Sequence, residues 1–255
     1  MKFTEQLPYS RLVPLLHHWF DSPLGQELLQ QEQAFAEEVL PRLFGYHLLQ
    51  AGWDHRQPLF SASPVSRKYM LIPQMELGVD TRTLIARPSE LPVVTNEMDV
   101  VILHHILDYA DNPHQVLREA ARVLRPGGHL LSFSFNPSSY WGLWRLFGRR
   151  VPPVQGGHFI SQGRLHDWLG LLEMTELETR SACYHLPIVS ERWRRRLRPF
   201  EACSRRLPLN SGAVLMVLAR KDVAGMTLLR PEKKQQRLMG IPVAEPKPSA
   251  RGKTI

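Results

Sequence analysis

The chain has 255 residues, 43% of them hydrophobic and 22% charged, a balance that excludes wholesale disorder and collagen-like repeats. Its longest apolar run, Ala213 to Ala219, is far short of the ~20 residues a membrane span needs, and the amino terminus lacks the clean apolar stretch of a secretory signal. The net charge of +8 is unevenly spread, with 11 basic against 15 acidic residues up to Trp144 and 21 against 9 beyond it. Such asymmetry predicts a basic surface on the second half, suited to an anionic partner. Cys183 and Cys203 form neither a zinc pattern nor a disulfide framework, so the expectation is two reduced thiols in a cytoplasmic protein.

In chain order, residues 22–40 read as a helix with Ser22 as N-cap and Pro23 at the first position. Leu28, Phe35 and Val39, with Leu29, Ala36 and Leu40, recur at helical spacing and predict a core-facing helix. A short apolar strand over 46–51 ends at Gly52, followed by a Pro-, Ser- and His-rich loop over 53–65. Residues 68–72 and 83–86 read as two further short strands, each stopped by a proline. The run 99–103 is wholly apolar after Asp99, as in a strand buried on both faces. Asn112 caps a helix with Pro113 at its first position, and Arg125-Pro126-Gly127-Gly128 turns the chain into a strand over 129–135. This is a βαβ unit, so strands 99–103 and 129–135 should be parallel neighbours.

Beyond Asn136-Pro137 an aromatic and basic stretch interleaves Trp141, Trp144 and Phe147 with Arg145, Arg149 and Arg150. It reads as a lid, an interfacial anchor, or aromatics buried in their own domain. Ser161 opens a helix, residues 175–186 have strand character, and 213–219 read as a last buried strand. Arg192, Arg194, Arg195, Arg196 and Arg198 form a dense basic segment that would suit RNA, anionic lipid or a phosphorylated ligand. From Lys221 the chain reads as a Pro- and Lys-rich tail of low order. The expected organisation is a helical extension over 1–40, a central domain over 41–220 and a tail over 221–255.

Leu91-Pro92, Asp99, His104-His105, the run Arg122-Val123-Leu124-Arg125-Pro126-Gly127-Gly128 and Leu130-Leu131 fall in one characteristic order and spacing. This segment resembles the class I S-adenosylmethionine-dependent methyltransferases of the type 11 family. The resemblance implies an α/β, Rossmann-like seven-stranded methyltransferase fold with helices on both faces. It also implies S-adenosylmethionine as cofactor and methyl transfer to an unidentified acceptor. By the same resemblance Gln50, Gly52, Leu91 and His104 line the cofactor, while His105, Asn136 and Tyr140 face the substrate; no metal is implied. The family's Gly-rich loop after the first strand keeps only Gly52 here, followed by Trp53. Glu76 and Asp80 are offset candidates for the ribose-binding acid, and Arg87 stands where the family has an Asp. Two readings follow. Either a variant loop binds the cofactor, or the fold is a non-catalytic module whose basic half holds RNA, anionic membrane or a protein. A sulfonium methyl donor is already activated, so no fixed triad is expected, and His104 or His105 would act as base only for an acceptor that must lose a proton.

Overall fold

A computed structural model describes residues 8–142, 157–184 and 212–222. Trp144, Phe147, Arg145, the arginines 192–198 and the tail beyond 222 lie outside the described residues. Two helices, α1 (Tyr9–Phe20) and α2 (Pro23–Val39), open the fold. Ser22 Oγ accepts from Gly25 N, so the expected cap is formed. The chain then enters the strands β1 (His47–Ala51), β2 (Arg67–Ile72), β3 (Thr83–Ile85) and β4 (Met98–His104). A single helical turn, α3 (Ile106–Tyr109), and helix α4 (Pro113–Val123) lead into β5 (Leu124–Phe135), and α5 (Gln162–Leu171) precedes β6 (Met174–Ala182) and β7 (Val214–Lys221).

The seven strands lie in the order β3-β2-β1-β4-β5-β7-β6. β1 to β5 run parallel to one another, and β7 runs antiparallel between β5 and β6. The predicted pairing of the βαβ unit is present, with Val100 opposite His129 and Ile102 opposite Leu131. Asn112 Oδ1 accepts from Gln115 N, capping α4 as its sequence predicts. The Arg-Pro-Gly-Gly segment is not a turn between helix and strand. It lies inside β5 as a bulge, because Leu124 already pairs with Met98 before the register shifts to His129 opposite Val100.

Asp99 ties the amino ends of β1 and β4 together. Its Oδ2 accepts from Tyr46 N at 2.7 Å and His47 N at 2.8 Å, and Arg125 pairs with Oδ1 at 2.5 Å. A Cβ on Gly45 would stand 2.2 Å from Asp99 Cγ, so only glycine allows this approach. Helix α1, which has no counterpart among the elements expected from sequence, is amphipathic: Leu12, Val13, Leu16, Trp19 and Phe20 join one continuous core with α2 and the sheet. Trp141 is also buried in that core, stacked on Phe135 and edge-on to Trp19. The expected lid or membrane anchor is therefore not what Trp141 serves.

Candidate functional site at the carboxyl edge of the sheet

The sheet order reverses between β1 and β4, and ligands of open α/β sheets bind in the crevice beyond the carboxyl ends of such strands. Gly52 follows β1 at this edge. Gly52 is buried, and a Cβ there would meet Gln50 Nε2 at 3.8 Å and His104 Cβ at 4.0 Å, ordinary packing distances, so nothing crowds the backbone at the strand end. Trp53 turns inward: its indole N–H donates to His105 O at 2.9 Å, and its ring meets Tyr9 and Tyr109 edge-on. Gln50 is fully buried and holds the loop shut at both ends of its amide, with Nε2 donating to Gln57 O and Oε1 accepting from Leu59 N, each at 2.8 Å.

Counted from Gln50, the second and third glycines of the family loop are replaced by Asp54 and Arg56. These two hold each other. Arg56 donates from its backbone N and Nε to Asp54 Oδ1 at 2.9 Å and from a terminal nitrogen to Oδ2 at 2.6 Å. Burial opposes ionisation of Asp54, but the Arg56 bonds win and hold the carboxyl below its usual range. Loop rigidity that glycines cannot supply is thus provided by an ion pair. A polar pocket of 390 Å³ opens beside it, lined in part by Gln26, Gln30, Gln33, Arg56 and Gln57.

Beneath the edge lies a buried relay. His105 has φ +53°, a left-handed conformation that a β-carbon tolerates poorly and that aims its ring inward. Its Nδ1 faces Asp108 Oδ2 at 2.7 Å and its Nε2 faces Glu32 Oε1 at 2.8 Å. His104 Nε2 donates to the other oxygen of Glu32 at 3.0 Å, and Asp108 accepts from Phe135 N. An imidazole between two carboxylates carries a proton on each nitrogen, so His105 is cationic. Burial pushes its pKa down, but Glu32 and Asp108 outweigh burial and raise it to about 9. For Glu32, burial pushes up and the two histidines win, lowering it to about 2. For Asp108 burial dominates and raises the carboxyl to about 6. Burial also keeps His104 below its ordinary value, so it stays neutral.

A second cluster lies above the edge. His17 Nε2 on α1 is 3.1 Å from Trp53 O, 3.4 Å from Glu76 Oε1 and 3.8 Å from Asp54 Oδ1. His55 Nδ1 is 2.6 Å from Glu76 Oε2.

Of the sequence-derived site residues, Gln50, Gly52 and His104 converge at the ends of β1 and β4. Leu91 is buried after β3 and bound to α4, its N–H donating to Glu119 and its carbonyl accepting from Arg122. His105 is sealed in the relay. Asn136 holds a turn: its Nδ2 donates to Gly212 O and its Oδ1 accepts from Ser138 N. Tyr140 lies half-buried beyond that turn. Glu32, Asp108 and His17 were missed. For Glu32 a signal existed, since a carboxylate one turn from Leu28 on an apolar helix face demands a buried partner.

A seven-stranded sheet of this order, with one antiparallel strand and its switch point between β1 and β4, is the class I methyltransferase fold. Residues 63–132, which run from before β2 into β5, match the model of a methyltransferase domain of the type 11 family. A 161-residue stretch is 32% identical to the uncharacterized protein YafS of Escherichia coli K12, covering 62% of this chain and 65% of that one. The ubiquinone/menaquinone biosynthesis C-methyltransferase UbiE of Bdellovibrio bacteriovorus is 28% identical over 107 residues, 39% of this chain and 46% of its own. Among solved structures, a SAM-dependent methyltransferase of Thermotoga maritima, a possible histamine N-methyltransferase, aligns with a TM-score of 0.62. The alignment has 18% identity and covers 84% of this chain and 98% of that one. The chain spans less than two thirds of the length of the curated relatives it matches.

Proposed function

We propose that the protein transfers a methyl group from S-adenosylmethionine to an acceptor at the carboxyl edge of the sheet. The observation that carries this reading is the uncrowded backbone of Gly52 at the switch point, within a chain that matches a methyltransferase domain over residues 63–132. The residues present fit the cofactor at two places. Gly52 leaves room for a ligand to approach the backbone, and Glu76 Oε1, beyond β2, accepts no hydrogen bond among the described residues and is available to a ligand hydroxyl. When bound, the cofactor supplies a sulfonium-activated methyl group. Gln50 holds the loop in place, His104 packs beside Gly52, and Trp53 and Tyr9 exclude water from the crevice. His105 has no free lone pair, since both ring nitrogens are bound to carboxylates, so it orders the site and does not take protons. Alignment and desolvation then carry the transfer. The arginines 192–198, read from charge alone, extend the proposal to an anionic acceptor or surface.

Titration calorimetry should show S-adenosylmethionine binding with a dissociation constant on the order of micromolar, ~8 kcal/mol. The variant Gly52→Val should abolish that binding while the thermal unfolding of the protein is retained. No heat and no thermal shift at millimolar cofactor would overturn the reading.

A further inference from the structure

We propose that His17, Asp54 and Glu76 form a zinc-binding site that clamps α1 onto the loops after β1 and β2. The proposal goes beyond methyl transfer and does not rest on it. The three ligand atoms come from three separate segments and lie within 4.8 Å of one another. His17 Nε2 stands 3.4 Å from Glu76 Oε1 and 3.8 Å from Asp54 Oδ1. Ligands bound to zinc at about 2.0–2.2 Å in a tetrahedron are roughly 3.3–3.6 Å apart, so a modest closure seats the ion.

The present contacts leave the cluster unfinished. Three oxygens surround His17 Nε2, but one N–H serves one acceptor, and Trp53 O at 3.1 Å takes it. Glu76 Oε1 has no donor among the described residues. A dication between these groups would serve the unbonded Glu76 Oε1, would displace part of the Arg56 pairing from Asp54, and would take the His17 Nε2 lone pair once the ring proton moves to Nδ1 and the bond to Trp53 O is given up. His55 resembles an outer-shell partner, its Nδ1 orienting Glu76 at 2.6 Å. Arg56 also competes with the ion for Asp54, which makes Asp54 the weakest of the three ligands. Side-chain exposures of 22% for His17 and 12% for Glu76 give an ion access and leave a fourth position for water. Imidazole with carboxylate oxygen in a tetrahedral arrangement suits zinc better than magnesium or calcium, which prefer all-oxygen shells. Glu76 cannot bind zinc through Oε1 and also accept a cofactor hydroxyl there, so zinc and S-adenosylmethionine should compete.

The test uses the full chain, stripped with EDTA and titrated with zinc chloride against a chromophoric chelator, with cobalt(II) as a spectroscopic probe. One ion per chain should bind with a micromolar or tighter dissociation constant, and cobalt should give intense visible bands of tetrahedral character. His17→Ala and the near-isosteric Glu76→Gln should each weaken zinc by about a hundredfold, and His55→Ala by about tenfold. His166→Ala, at an exposed histidine paired with Glu176, should change nothing. Zinc should raise the melting temperature of the parent and not of Glu76→Gln, so a poorly folding His17 variant does not decide the matter. Affinity weaker than millimolar, or equal affinity in parent and Glu76→Gln, overturns the site. Zinc binding is measured without S-adenosylmethionine, so failure of either ligand to bind leaves the other result standing.

Discussion

The relay around Glu32 and the cluster around Glu76 use the same side chains at the same edge of the sheet, yet burial has given them different chemistry. Glu32, His104 and His105 have side-chain exposures of 3% or less, and both oxygens of Glu32 and both nitrogens of His105 are bonded. Glu32 and His105 have no group left over to bind a ligand, so the relay joins α2 to the end of β4. His17, His55 and Glu76 are 12–22% exposed, and their bonding is incomplete. Whether an imidazole–carboxylate cluster is structural or functional is decided by water access and by unspent lone pairs, more than by residue type.

The largest test of this contrast is Glu32→Ala. It leaves His105 with one carboxylate and removes the acceptor of His104 inside the core, so it should cost about 3–5 kcal/mol in urea unfolding. A loss below about 1 kcal/mol would show that α2 is held by apolar packing alone. His17→Ala, in the outer cluster, should cost far less in zinc-free protein.

The next largest effect is in pH. His105 is raised to about 9, so its contribution is fully present below its unfolded value near 6.5 and is lost as pH rises through about 9. Glu32 is lowered to about 2, so its contribution is present above its unfolded value near 4.5 and is lost as pH falls toward 2. Asp108, raised to about 6, acts against this plateau, and stability falls as pH rises from about 3.8 to about 6. Urea unfolding across pH 4–10 should show the alkaline loss. His105→Asn tolerates the left-handed backbone and carries no titrating charge, so it should remove the alkaline limb. An unchanged limb in that variant would place the titration elsewhere.

The smallest effect separates the two roles within the outer cluster. Arg56→Gln strands the buried Asp54 carboxylate and should cost about 1–2 kcal/mol without metal. The same change removes the cation that competes with zinc, so zinc affinity should rise several-fold. A fall in both would make the Arg56–Asp54 pair purely structural.

The strand–helix–strand unit from β4 to β5 was legible in the chain because its signals are local: an apolar run, an Asn cap before a proline, an apolar helix face and a Gly-Gly break. Its parallel pairing then follows from chirality and the length of the crossover. Gly52 and the two histidines were legible as candidates through the same segment. Local signals also misled, since a Pro-Gly-Gly run reads as a turn whether it ends a strand or bulges within one. Helix α1 has apolar spacing that was readable, but its short length and internal Pro14 obscured it.

By itself, the sequence determined the fold class, the order of the central elements and the loss of glycines after β1. Only the tertiary structure decided what the polar residues do. Glu32 meets His105 across 73 positions and His17 meets Glu76 across 59, and no local pattern encodes such distances. Helix and strand preferences act over neighbouring residues, whereas burial, charge pairing and unspent lone pairs arise only when distant segments pack against one another. The replacement of glycines by Asp54 and Arg56 reads as loss of a motif in the chain, and as an ion-paired loop beside an uncrowded Gly52 once folded.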